Sequence, residues 1–121
     1  MKRLEVLLDA IAAVNGFKDP ESPVYRARNP LALRYFNNGF AGNLRKFPSL
    51  LGGYGAGLYD LKVKCSGESR AKLEDQFNLK GLIRVYSLPD QTVIYVTRFL
   101  RKALNDESIK DTTELSYFVE Q

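Results

Sequence analysis

The stretch LLGGYGAGLYDLKVKCSG, residues Leu50–Gly67, decides between two folds for this chain. Its apolar residues recur at intervals of three and four, which is the pattern of one helix face over about four turns. Residues 59–65 also alternate apolar with polar side chains, the period of a half-buried strand, and interior glycines disfavour a helix by about 1 kcal/mol each. The best strand partner, residues 92–97, runs directly into a helical pattern. We therefore predict a helix, whose apolar face is Leu51, Tyr54, Leu58, Leu61 and Cys65.

The four glycines of this stretch do not form a known phosphate-binding loop. Gly52 and Gly57 have the separation of a P-loop, but Leu58 and Tyr59 follow where lysine and serine or threonine are required. A dinucleotide-binding loop counted from Gly53 would need a third glycine at Leu58. We interpret the glycines as sites of close helix packing or a bend, and we predict no cofactor.

Apolar periodicity and capping residues indicate further helices along the chain. Asn15-Gly16 is a typical helix end, and Asn29-Pro30 is typical of a helix start. The spacing of Asp111 and Glu114 is that of a capping box. The predicted helices cover 4–14, 30–36, 79–86, 90–104, a segment that begins near Pro48 and ends at Cys65, and a short C-terminal helix, with a loop at 39–47. We expect a single globular domain over 1–121, a compact all-α bundle of five or six helices. The alternative is an α+β fold with a small hairpin of 58–65 and 92–97.

Composition excludes several classes of protein. The 121 residues are 45% hydrophobic and 26% charged, which is enough for a core and argues against disorder. No apolar run approaches the roughly 20 residues that span a membrane, and Glu5 and Asp9 interrupt the N-terminal apolar stretch. The lone Cys65 allows no internal disulfide, which favours a reducing, cytoplasmic location.

The chain contains no histidine and one cysteine, which argues against catalysis. A zinc or iron–sulfur site and a Ser-His-Asp or Cys-His arrangement are therefore not expected. Asp60 is the most interesting carboxylate, and we predict that it pairs with Lys64 four residues later. We expect Cys65 to be a small buried hydrophobe. These absences predict a protein that is not an enzyme and binds no metal.

Positive charge is concentrated in the middle of the chain. The net charge is +4, yet residues 22–72 hold nine basic residues against two acidic ones, together with half of the aromatic residues. Arg45 and Lys46 belong to this block. Mixed basic and aromatic side chains bind nucleic acid through phosphate contacts and base stacking. The block 26–72 therefore predicts, as the alternative function, a nucleic-acid-binding domain.

The segment KVKCSGESRAK, residues 62–72, is the sharpest candidate anion site within this block. Backbone N–H groups at a helix start, with flanking basic side chains, can hold a phosphate. A solvated connector rich in lysine is the competing interpretation, and we favour it. The candidate anion-binding or nucleic-acid-binding residues are Arg45, Lys46, Lys62, Lys64, Ser66, Ser69, Arg70 and Lys72.

Residues 79–102 resemble, weakly, a helix-turn-helix arrangement. The second helix would project Gln91, Thr92, Tyr95 and Arg98 outward, with Arg101 and Lys102 near phosphates. Ser87 replaces the usual turn glycine, and Asp90 would repel DNA. An ordinary helical hairpin is the simpler interpretation. The leading functional prediction is a small helical interaction module that binds a protein partner or itself through an apolar patch.

Overall fold

The computed structural model describes residues 2–37, 40–67 and 77–120. This part of the chain is mostly helical, as predicted, but it also contains a two-stranded antiparallel sheet. The all-α assignment is therefore corrected. The elements are α1 (Arg3–Val14), α2 (Pro23–Arg26), β1 (Arg34–Asn37), β2 (Phe40–Leu44), α3 (Leu50–Cys65), α4 (Leu79–Val85), α5 (Thr92–Leu104) and α6 (Ser116–Val119).

Helix α1 lies at the centre of the fold. It contacts α3, α5 and α6, and Leu7, Leu8 and Ile11 are completely buried. The helix ends where the sequence predicts, because Asn15 is the C-cap and Gly16 takes a φ of +85°. Complete burial of three large aliphatic side chains contributes several kcal/mol to folding, so α1 organises the core on which the other helices pack.

The predicted glycine-rich helix α3 is confirmed. Its two buried glycines, Gly53 and Gly57, allow α3 to pack closely against neighbouring residues. Ser49 caps it by accepting a hydrogen bond from the Gly52 N–H at 3.0 Å. A Cβ atom on Gly53 would lie 1.6 Å from the Arg28 carbonyl oxygen. One on Gly57 would lie 3.0 Å from a methyl group of Leu8. The alternative hairpin of 58–65 with 92–97 is wrong, because both segments are helical.

The sheet lies where the sequence indicated a helix at 30–36 and a loop at 39–47, so both of those predictions are wrong. Strands β1 and β2 pair antiparallel, with Arg34 opposite Leu44 and a register irregularity between Arg34 and Phe36. Asn29 does not cap a helix. Its buried side chain accepts from the Leu33 N–H and donates to the carbonyls of Leu33 and Arg45, each at 2.9 Å. These bonds hold the chain in an extended path.

The C-terminal half follows its local signals with one exception. Asn78 caps α4 by accepting from the Gly81 N–H at 3.0 Å, as predicted. The predicted capping box at Asp111 and Glu114 is wrong, because α6 begins at Ser116 without a side-chain cap. Glu114 instead forms an isolated bridge with Asn78. Within the described ranges, every helix is too short or too polar to cross a bilayer.

Two matched substitutions test the packing role of the glycines in α3. We expect Gly53→Ala to destabilise the fold by about 3 kcal/mol, since the added methyl group collides with a backbone carbonyl. Gly55→Ala meets nothing within 4 Å, and we expect it to stabilise the helix by up to about 1 kcal/mol. Chemical denaturation at low protein concentration measures both. Equal effects of the two substitutions would contradict the packing assignment.

Candidate functional site

The solvent-facing side of α3 is unusually apolar for an exposed helix. The exposed residues of α3 are Leu50 and the set Leu51, Gly52, Gly55, Tyr59 and Lys62. We call that set the outer face of α3. Leu51 is 83% exposed and Tyr59 is 71% exposed. A surface helix ordinarily carries charged and polar residues on the side away from the core. Because the opposite side of α3 is buried in the core, this helix has apolar character on both sides.

Gly55 has no structural role within the described chain. A Cβ atom at this position would have no neighbour within 4 Å, whereas one on Gly53 would strike the Arg28 carbonyl. A glycine inside a helix lowers its stability by about 1 kcal/mol relative to alanine. The buried glycines of α3 are explained by the fold, and the exposed Gly55 is not. Because Gly55 has no side chain, the helix backbone is accessible between Leu51 and Tyr59.

A shallow groove of about 210 Å³ adjoins the outer face of α3. The N-terminal turns of α1 and the last turns of α3 form its walls. Its volume is below the roughly 300 Å³ at which ligand pockets for small molecules begin. The groove therefore suits an inserted side chain better than a cofactor. Its lining residues are Lys2, Leu4, Glu5, Leu58, Tyr59 and Lys62.

Lys64, a candidate anion-binding residue, points into the protein. Its Nζ lies 2.6 Å from Asp60 Oδ2 and 5.0 Å from the centre of the Tyr86 ring. The Tyr86 hydroxyl donates to the same carboxylate oxygen at 2.5 Å. The predicted Asp60–Lys64 pair is thus confirmed. Burial and the neighbouring Asp60 carboxylate raise the pKa of Tyr86, so this phenol stays protonated and joins α4 to α3.

The other predicted anion-site residues are dispersed. Lys62 is exposed in the last turn of α3, and the Ser66 hydroxyl donates to the Val63 carbonyl at 3.2 Å. Arg45 and Lys46 lie beside Phe47, which packs against Gly53 near the start of α3. Lys62 lies nine residues, about 14 Å, further along the helix axis. The basic block of the sequence is therefore divided between two places. Ser69, Arg70 and Lys72 lie outside the described residues.

The β1–β2 hairpin carries a basic surface that includes the predicted residues Arg45 and Lys46, together with Arg34 and Tyr35, which were not among the candidate site residues. The Arg45 guanidinium lies 5.6 Å from the centre of the Tyr35 ring and 5.0 Å from that of Phe47. Tyr35 is 56% exposed, and Arg34, which precedes it, and Lys46, which follows Arg45, are also exposed. We call Arg34, Tyr35, Arg45 and Lys46 the hairpin surface. The sequence does contain a signal for this surface, because the chain has no acidic residue between Glu21 and Asp60.

Helices α4 and α5 form a helical hairpin whose connection differs from the short helix-turn-helix connection. Residues 86–91 join them, whereas that motif uses three or four residues. Ser87 takes a φ of +59°, the conformation that glycine supplies in such turns. The Arg101 side chain donates to the Ile109 carbonyl at 2.6 Å. Asp90 pairs with Arg84 at 3.1 Å, which places a carboxylate at the start of α5.

The described chain offers no activated nucleophile of the cysteine type and no metal site. Burial raises the pKa of the Cys65 thiol to about 12, and the nearby Lys64 charge only partly opposes this. The described residues contain no group of three or more His, Cys, Asp or Glu that could hold a metal ion. The Tyr54 hydroxyl donates to Asp9 at 2.5 Å, and its burial raises its pKa. These groups act as packing and cross-links between helices.

A scan against protein-family models, a search of curated proteins and a search of solved structures each found no match. Functional inference for this chain therefore depends on its own surfaces and buried groups.

Removing the Asp60 carboxylate should cost more than removing its partner. Asp60→Asn leaves the Lys64 ammonium buried without a counter-charge, and we expect a loss of about 2 kcal/mol in the free energy of unfolding. Lys64→Met keeps an unbranched stem over Tyr86 and leaves a half-buried carboxylate that water can reach, so we expect less than half that loss. Urea denaturation of both variants checks the order, and a larger loss in Lys64→Met would contradict it.

Labelling by a thiol reagent should report unfolding. Near pH 8 we expect the Cys65 thiol of the native protein to be unreactive, and to react fully in denaturant, because its folded pKa is about 12. Above about pH 9 the unfolded thiol ionises while the folded one keeps its proton. The free energy of unfolding then falls with rising pH up to about pH 12. Cys65→Ala should make that fall shallower, and rapid labelling of the native protein would contradict the burial.

Proposed function

We propose that this chain is a non-catalytic protein-interaction module that binds through the outer face of α3. The observation that carries this proposal is the exposure of Leu51 and Tyr59 on either side of Gly55. A helix that is apolar on both sides is characteristic of a position buried on both sides. In the part of the chain that the structure describes, only one side of α3 is covered. A protein partner would cover the other side. Because Gly55 has no side chain, the partner's backbone could approach α3 closely there.

The partner that this face fits most directly is a second copy of the chain. Leu51 lies four residues before Gly55, and Tyr59 lies four residues after it. Two antiparallel α3 helices related by a two-fold axis at Gly55 would therefore place Leu51 of each copy against Tyr59 of the other. Symmetric dimers use one self-complementary patch in this way. The face of a single helix is a small interface, so we expect association that depends on concentration.

Binding, rather than catalysis, is also supported by the state of the reactive groups. Cys65 is buried with a raised pKa, and Lys64 is paired with Asp60. The groove beside the outer face is too small for most ligands of metabolic enzymes. Its rim carries Lys2, Glu5 and Lys62, charges of both signs that suit the polar rim of a protein interface.

Static light scattering over a concentration series tests this proposal. We expect the apparent mass to rise from monomer towards dimer between about 10 μM and about 1 mM. Tyr59→Lys should abolish the rise, because it puts a charge into the apolar contact. Tyr95→Lys is the matched control, since Tyr95 is an exposed tyrosine, 60% accessible, on a different helix. A monomer mass at every concentration, or equal loss in both variants, would contradict dimerisation through α3.

A cysteine at the proposed two-fold axis gives a second readout of the same prediction. Gly55→Cys should form a disulfide between copies under mild oxidation, because the two residues would meet at the axis. Ser66→Cys is also exposed but would lie about 33 Å from its counterpart in the antiparallel pair. It should not cross-link, and the buried Cys65 should not interfere.

A further inference from the structure

We propose that the hairpin surface, Arg34, Tyr35, Arg45 and Lys46, binds single-stranded nucleic acid. This surface precedes α3 in the chain and shares no residue with the outer face through which we propose that the chain associates. The proposal depends on three properties of the described residues: a run of unopposed positive charge, an exposed aromatic ring and an arginine held against that ring.

All charged residues in the segment that contains the hairpin are basic. Between Glu21 and Asp60 the chain has no acidic residue. Among the described residues, Arg26 pairs with Glu21 at 3.0 Å, and no carboxylate pairs with a hairpin-surface cation. Arg34 donates once, to the Gly42 carbonyl at 3.3 Å, which leaves most of its five N–H donors available. Three unopposed cations on a short ribbon favour a polyanion.

The aromatic contacts indicate which polyanion. Tyr35 is 56% exposed, and the Arg45 guanidinium lies 5.6 Å from its ring centre. The centre of the Phe47 ring lies 5.0 Å from the same guanidinium. Tyrosine rings and arginine planes are the surfaces on which unpaired bases stack. A duplex keeps its bases stacked inside, and a lipid headgroup has none, so this pair favours a single strand.

The α4–α5 hairpin is a less suitable nucleic-acid surface. Tyr95, Arg98 and Lys102 are exposed on α5. However, Asp90 lies just before its N-terminus, and Arg101 is engaged with the Ile109 carbonyl. Because Asp90 forms an ion pair with Arg84, these two charges offset each other and add no net positive charge at that end. Arg98 therefore serves as a control cation that lies outside the hairpin surface.

Fluorescence anisotropy with a labelled oligothymidine of about 12 nucleotides tests the proposal. Titrations between about 50 and 200 mM salt should give a slope of log K against log salt near −2, because three cations each contribute about −0.7. Lys46→Gln should reduce that slope by about 0.7, and Arg98→Gln should leave it unchanged. Circular dichroism confirms that each variant is folded.

The stacking contribution is tested by a matched pair at one position. Tyr35→Ala should weaken binding about tenfold, whereas Tyr35→Phe should stay within about twofold, because it keeps the ring. The same titration with a duplex of equal length, and with vesicles containing phosphatidylserine, should show weaker binding with no dependence on Tyr35. The proposal is overturned if the oligothymidine fails to bind at the lowest salt, or if Arg98→Gln weakens binding as much as Lys46→Gln. It is also overturned if Tyr35→Ala does not weaken binding of the oligothymidine, or if the protein binds the duplex or the vesicles more tightly than the oligothymidine.

Discussion

The close contact of α3 with the Arg28 backbone is the constraint on which the rest of the structure depends. Only glycine at position 53 leaves room for the Arg28 carbonyl oxygen, and Phe47 packs against the same glycine. Arg28 takes a φ of +52°, an uncommon conformation for a residue with a side chain. The Phe47 N–H donates to the Ala27 carbonyl at 2.9 Å. This contact joins α2, the hairpin and the start of α3.

Helix α3 contains two kinds of glycine: buried ones that the fold requires, and an exposed one that we connect with function. Gly53 and Gly57 are buried, and their neighbours leave little or no room for a side chain. Gly55 is exposed, has open space around it and lies between two exposed apolar residues. The first kind explains how α3 packs on α1 and on the Arg28 segment. The second kind is what we expect where another backbone approaches, and the proposed self-association depends on it.

The charges follow a similar division. In the sequence, the basic residues of 26–72 form one block. In the structure, the hairpin cations lie beside Phe47, which packs at Gly53, whereas Lys62 and Lys64 lie in the last turn of α3. Lys64 turns inward to Asp60 and Tyr86 and becomes part of a structural cluster. The Arg45 guanidinium lies near two aromatic rings at the hairpin, those of Tyr35 and Phe47. A linear charge pattern thus predicts the sign of a surface but not its location.

Local signals in the sequence were sufficient for α1, α3, α4 and α5, because periodicity, caps and the Asp60–Lys64 spacing act within a few residues. They also excluded phosphate-loop motifs. The hairpin required tertiary structure, since Asn29 resembles a helix cap until its side chain meets Arg45, sixteen residues away. The two candidate surfaces required it as well. Exposure of Leu51, Tyr59 and Tyr35 is decided by which sides of their elements the core leaves uncovered, and no local pattern contains that information.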